Sequence, residues 1–326
     1  MTDRRTFVSA GAAALLTLPL GAAAAQRDGR LPRIGLLAPS SSYMEVSFLE
    51  GMRELGYVEG KNIAFERRSA DGDFTRLPAL AAELVKQKPD VIVAIVSAAA
   101  IAASQATTTI PIVMVGVADP IASGLVGNLA RPGRNVTGTS SQSNATVGKQ
   151  VELVRQLLPD ATRAAVLWNP ANAVFQQLML GEGLIAAARL RILARILEAR
   201  TPEEVDRAFD SLKSERPDVV LVLSDPFFTA SGTRIANAAL ALRMPVVGAT
   251  RPLVEAGVLA GYGPDLRVVA RRAAPYVQRI LKGEKPGQLA VELPTKFDLV
   301  INMKTAGTLG VTVSPTLLAR ADEVIR

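Results

Sequence analysis

Lys88-Pro89-Asp90-Val91-Ile92-Val93-Ala94-Ile95-Val96-Ser97 is the stretch that decides the fold. Its basic residue, proline and aspartate end a preceding helix. The run that follows is β-branched or aliphatic at nearly every position and closes on small polar residues. A short run that is apolar on both faces and bounded by turn signals reads as a buried parallel strand. It has an echo in Arg216-Pro217-Asp218-Val219-Val220-Leu221-Val222-Leu223-Ser224-Asp225. Two further pairs share the offset. Arg33-Ile34-Gly35-Leu36-Leu37-Ala38-Pro39 matches Arg163-Ala164-Ala165-Val166-Leu167-Trp168-Asn169-Pro170, and Ile110-Pro111-Ile112-Val113 matches Met244-Pro245-Val246-Val247. The offset of about 130 residues is one domain length, which points to two related lobes rather than short stacked repeats.

The first lobe alternates strands expected at 34–38, 63–67, 91–96, 112–116 and 135–138 with helices at 43–55, 73–87 and 98–106. The second follows with helices at 147–158, 175–188, 202–214 and 229–242 and strands at 164–168, 191–197, 219–223 and 246–248. A glycine-rich strand at 257–263, a helix at 266–281, a strand at 297–301 and a helical C-terminus complete the chain. This alternation gives an α/β protein with two Rossmann-like lobes and parallel sheets. The lobes are expected to be joined by three crossings near 138–143, 256–263 and 287–293. The first lobe would then hold 31–140 plus 258–288, and the second 141–257 plus 289–326.

Residues 1–25 read as an export signal. Arg4-Arg5-Thr6-Phe7-Val8 is like a twin-arginine pattern, an apolar stretch follows, and Ala23-Ala24-Ala25 suits cleavage before Gln26. The mature chain is therefore expected in the periplasm, soluble and without a lipid anchor. The 326 residues contain no cysteine and no histidine. That removes thiolate nucleophiles, disulfides, the commonest general base and the commonest metal ligand. No metal site, catalytic residue or cofactor is expected. The formal charge of +7 is spread along the chain, so no nucleic-acid surface is indicated. G-x-G-x-x-G, a phosphate loop and G-x-S-x-G are all missing.

Ligands of open parallel sheets bind beyond the carboxyl ends of the strands. Small polar and aromatic residues collect at those positions here: Ser41, Ser42 and Tyr43; Ser97 and Ala98; Asp119; Trp168 and Asn169; Asp225 and Phe227; Thr250; and Tyr262. Hydroxyls and helix N-termini suit a carboxylate. An aspartate such as Asp225 suits an ammonium, although Asp119-Pro120 and Asp225-Pro226 also fit plain helix caps. The aromatics would give flat walls to a ligand.

Several longer stretches resemble one family. They are Leu55-Gly56-Tyr57-Val58-Glu59-Gly60-Lys61-Asn62, Ile110-Pro111-Ile112-Val113, Asp119-Pro120-Ile121-Ala122-Ser123-Gly124-Leu125-Val126, Ala130-Arg131-Pro132-Gly133-Arg134-Asn135-Val136-Thr137-Gly138, Val166-Leu167-Trp168-Asn169-Pro170, Leu223-Ser224-Asp225-Pro226 and Pro294-Thr295-Lys296-Phe297-Asp298-Leu299-Val300-Ile301-Asn302. Together they look like the ABC-transporter substrate-binding proteins that include tryptophan- and other aromatic-amino-acid-binding members. The resemblance implies a type I periplasmic-binding-protein fold, a small-molecule ligand in the interlobe cleft and delivery to an ABC permease in the cytoplasmic membrane. It departs at 175–191, where Gly181-Glu182-Gly183 is expected to interrupt the helix. The expected function is a non-catalytic, monomeric receptor for a small amphipathic carboxylate such as an aromatic or branched amino acid. The alternatives are an aromatic carboxylate without an amine and an exported α/β enzyme pairing Asp119 with Asp225. A repressor-like sensor would need an N-terminal helix-turn-helix, and the chain has an export-like segment there instead.

Overall fold

The computed structural model describes residues 30–326, so the signal reading of 1–25 lies outside the described residues. The first sheet has five strands in the order β2-β1-β3-β4-β5, all parallel. They are β1 (Arg33–Ala38), β2 (Ala64–Ser69), β3 (Val91–Ile95), β4 (Ile112–Val117) and β5 (Val136–Ser140), with α1 (Tyr43–Glu54), α2 (Leu77–Lys86) and α3 (Val96–Ala106) between them. Every residue of β3 and β4 is buried, as their unbroken apolar runs require.

The second lobe runs from α4 (Ser143–Leu157) through β6 (Arg163–Trp168), α5 (Ala173–Arg189), β7 (Leu193–Glu198) and α6 (Pro202–Glu215). It continues with β8 (Val219–Val222), α7 (Pro226–Ala230), α8 (Gly232–Ala241), β9 (Val246–Gly248), α9 (Arg251–Glu255) and β10 (Ala260–Pro264). α6 illustrates how the local sequence dictates the element. Thr201 Oγ1 accepts from the Glu204 N–H, Pro202 needs no donor at the first position, and Glu203 and Glu204 face the positive helix end. Val205, Ala208, Phe209 and Leu212 then form one buried stripe.

The chain next returns to the first lobe as α10 (Leu266–Arg271) and α11 (Ala274–Leu281). Their Ala270, Ala273, Val277 and Ile280 share a core with Ile34, Phe48 and Val93. It finally re-enters the second lobe as β11 (Phe297–Asn302), α12 (Met303–Leu309), α13 (Pro315–Arg320) and β12 (Glu323–Ile325). The second sheet has the order β12-β11-β10-β9-β8-β6-β7.

Five expectations change. β10 is hydrogen-bonded between β9 and β11, so 260–264 belongs to the second sheet and the second crossing falls at 264–266. β11 runs antiparallel to β10, because the chain re-enters the lobe at the cleft edge and can only run away from it. Helix 266–281 is two helices, with Pro275 in the first turn of the second, and the C-terminus ends in a strand. α5 is continuous through Gly181 and Gly183. A Cβ on Gly183 would lie 3.1 Å from Val147 Cγ1, so this glycine lets α4 and α5 approach.

The third crossing is pinned to the first. Segment 289–292 lies along β5: Ser140 N–H donates to Glu292 O at 2.8 Å, Glu292 N–H to Gly138 O at 2.9 Å, and Thr137 Oγ1 to Leu289 O at 2.7 Å. Gly138 has φ +130°, and a Cβ there would stand 2.1 Å from Met114 O. Gly138→Ala should therefore lower the unfolding free energy by about 3 kcal/mol, through strain and overpacking together. Urea denaturation of the two proteins measures this, and a loss under about 1 kcal/mol would show that β5 can shift to make room.

Candidate functional site

The carboxyl ends of β1, β3 and β4 face those of β8 and β9 across a cavity of about 270 Å³. From the first lobe it is lined by Pro39, Ser40, Ser41, Ser42, Tyr43 and Met44, by Ile95, Val96 and Ser97, and by Gly116. Ser141 and Ser143 of the first crossing and Leu266 of the second complete that side. The second lobe supplies Asn172, Phe175, Ser224, Asp225, Pro226, Thr229, Ala230 and Pro252.

The first-lobe side is uncharged and rich in donors. Ser42 is the N-cap of α1 in extended conformation, yet its hydroxyl makes no capping bond and lies buried without a partner. The first N–H groups of a helix have no intrahelical acceptor and attract an anion. β3 passes into α3 without a loop, at the cost of a left-handed Val96 with φ +64°. A β-branched residue is rarely found in that region, and the turn brings the start of α3 to the cavity. Ser97 Oγ accepts from the Ala118 N–H at 3.2 Å and keeps its own proton to donate. The hydroxyls of Ser141 and Ser143 lie 2.8 Å apart. Burial pushes the Tyr43 phenol well above its ordinary value, with Arg267 opposing.

The second-lobe side is a single carboxylate held in a cage of amides. Asp225 is 2 % exposed. Its Oδ1 accepts from the Phe227 N–H at 2.9 Å and from Asn169 Nδ2 at 3.2 Å. Its Oδ2 accepts from Asn172 Nδ2 at 3.0 Å and more distantly from Gln176 Nε2 at 3.4 Å. Gln176, fully buried, also donates to Ser224 O at 2.8 Å and accepts from the Asn169 N–H at 3.1 Å. Burial pushes the Asp225 carboxyl up, and these donors oppose the shift without a cation among them.

The cavity thus gathers Ser41, Ser42, Tyr43, Ser97 and Asp225. Asn169 stands behind Asp225, and Thr250 lies behind Thr229, with 3.5 Å between their hydroxyls. Ala98 and Asp119 line smaller adjoining pockets. Asp119 Oδ1 caps the N–H groups of Ile121 and Ala122, and its Oδ2 accepts from Asn144. Asp119 and Asp225 therefore line no common pocket. Of the expected aromatic walls, Tyr43 lines the cavity and the other three are elsewhere. Trp168 sits in the core with Val166 and Met179, its indole N–H buried without a partner. Phe227 packs on Phe228 with ring centroids 5.4 Å apart, and Tyr262 stacks on Phe297 at 6.1 Å. Asn172, Phe175 and Gln176 escaped the sequence reading. The signal for the two amides was their spacing of four residues, with Asn172 at the N-cap of α5 and Gln176 in its first turns. Among the described residues no group of three or more Asp or Glu could hold a metal ion.

The raised carboxyl has a measurable consequence. A group that holds its proton more tightly when folded contributes stability at acid pH, and that contribution is lost as pH rises through the folded pKa. Other carboxyls, such as Glu59 and Asp218, are lowered and act in the opposite sense, so the informative quantity is the difference between Asp225→Asn and wild type. Without ligand, that difference should move in favour of the variant as pH rises from about 4 to neutrality. Urea titrations at several pH values test this. A difference independent of pH would mean that the carboxyl is not shifted.

The comparisons agree with this architecture. A family model described as ABC transporter substrate binding protein matches residues 37–325. A tyrosine-binding protein of Clostridioides difficile (strain R20291) is 29% identical over 271 residues, spanning 83% of this chain and 77% of the relative. A conserved domain protein from Vibrio cholerae superposes with TM-score 0.82 at 33% identity, covering 90% of this chain and all of the other. An ABC domain from Streptococcus pneumoniae in complex with L-Trp superposes with TM-score 0.83 at 24% identity over 91% of this chain and all of its own. The two-lobed α/β architecture is thus that of the type I periplasmic binding proteins, and the chain belongs to the family of ABC transporter substrate binding proteins.

Proposed function

We propose that the protein is the extracytoplasmic receptor of an ABC importer and carries a free amino acid with an aromatic or branched side chain. Asp225 is the observation that carries this reading: a buried carboxylate that faces the cavity with amide partners but no cation. An ammonium would supply the missing positive charge. Across the cavity, Ser41, Ser42 and Ser97 and the starts of α1 and α3 would receive the carboxylate. Tyr43, Met44 and Leu266 would enclose the apolar side chain, and Phe175 would stand beside the ligand's backbone. The tyrosine-binding relative favours the same class.

In this reading the protein performs no chemistry. Its function is to sequester the ligand between the lobes and present it to a permease in the cytoplasmic membrane. The crossings at 140–143, 264–266 and 292–297 would absorb the change in lobe angle.

Thermal unfolding tests the class directly. L-Tyrosine, L-tryptophan, L-phenylalanine and L-leucine are compared with 3-(4-hydroxyphenyl)propionate, 3-phenylpropionate and glucose. At 100 times its dissociation constant a ligand adds about 2.7 kcal/mol of stability. At least one amino acid should give such a shift, its deaminated analogue should not, and Asp225→Ala should abolish the difference between them. Equal shifts from an amino acid and its analogue would remove the ammonium role. A response to glucose alone would remove the whole class.

A further inference from the structure

Phe175 lines the central cavity and also two flanking pockets. One is a groove of about 180 Å³ between the two lobes. Phe74, Leu77 and Pro78 and the α3 residues Ala98, Ile101 and Ala102 form its first-lobe wall, and Ala171, Asn172 and Ala173 form its second-lobe wall. The other, of about 20 Å³, lies beside Ala118, Asp119 and Asn144. The half-buried Phe175 ring, carried on the first turn of α5, therefore stands where three spaces meet.

The position of that junction along the cavity gives it meaning. The residues shared by the central cavity and the larger groove are Ser97, Asn172 and Phe175. Ser97 lies at the proposed carboxylate end, and Asn172 donates directly to Asp225 at the proposed ammonium end. The groove thus opens beside the backbone of the bound amino acid, away from Tyr43, Met44 and Leu266. A ligand extended through its own peptide bond would have to leave the cavity there.

We propose that Phe175 is a specificity-determining residue that restricts this receptor to single free amino acids. Its ring closes the cavity at the point where the next residue of a peptide would pass into the groove. This rests on the amino-acid reading above. The small residues of α3 opposite the ring, Ala98 and Ala102, leave space that the ring, together with Ser97 and Asn172, separates from the cavity. Removing the ring joins the groove to the cavity and provides room and an apolar wall for a second residue.

Calorimetric titration tests the proposal with L-tyrosine, L-tryptophan and L-leucine and with the alanyl dipeptides of each, extended at either end. Wild type, Phe175→Ala and Phe175→Leu are compared. Wild type should bind its best amino acid at least about 100-fold more tightly than either dipeptide. Phe175→Ala should narrow that ratio to about 10-fold or less for one of the two extensions, and Phe175→Leu, which keeps apolar packing, should fall between. The ratio is the informative readout, because a merely structural role for the ring would weaken free and extended ligands alike. An unchanged ratio in both variants, or a uniform loss, overturns the filter and leaves the amino-acid reading intact. Failure of wild type to bind any of the free amino acids overturns both.

Discussion

A parallel strand must hand the chain to a helix that starts at the strand's own carboxyl edge. That constraint makes the rest of the molecule possible. In each lobe it collects helix starts, with their unpaired N–H groups, along one side of the sheet. Setting two such edges face to face produces a cleft lined by backbone donors before any side chain is chosen. Ser42 at the start of α1 and Val96-Ser97 at the start of α3 lie on one rim, and Asp225 at the start of α7 lies on the other. The three crossings lie at these edges too, so the joint between the lobes and the lining of the cavity share residues such as Ser141, Ser143 and Leu266.

The two rims solve different electrostatic problems. The first lobe offers hydroxyls and amide N–H groups, which can meet a negative charge without burying a positive one. The second lobe buries a negative charge outright and spends Asn169, Asn172 and Gln176 on keeping it oriented. Loss of any one of those amides leaves a buried acceptor short of a donor, which costs about 1–3 kcal/mol. Gln176 ties Ser224, Asn169 and Asp225 into a single unit, so the carboxylate is fixed relative to the strand ends and not only to its own helix.

The duplicated β-branched runs and their proline-aspartate openings made both sheets legible, because a fully buried strand needs an unbroken apolar run. The helix break near Arg272 was not, since the apolar spacing continues across it through Ala270, Ala273, Val277 and Ile280. Serines at strand ends have an ordinary role as helix caps, and the structure puts Ser41, Ser42 and Ser97 on the wall of the cavity as well. Trp168 was misplaced for a reason visible in the pleat. Ala164, Val166 and Trp168 alternate onto one face of β6 and share one core, while Ala165 and Leu167 share the other. An aromatic at the last strand position follows its face into the core. The cavity takes its aromatic groups from helix starts instead, at Tyr43 and Phe175. Finding the latter requires knowing how α5 meets the other lobe, which no local pattern contains.

Val96 answers two demands that pull against each other. Its backbone is left-handed, where glycine would be at ease, while its side chain lines the cavity and packs on the core formed by Ile34, Val93 and Ile95. Glycine would relax the turn and forfeit the wall, and any other L-residue keeps the strain and alters the wall. Substitution at Val96 therefore gives up either the wall or the chance to relieve the strain. Descendants of this chain that come to accept a different ligand would then be expected to diverge first at Met44, Phe175 and Leu266, whose backbones are unstrained, and to inherit Val96 unchanged.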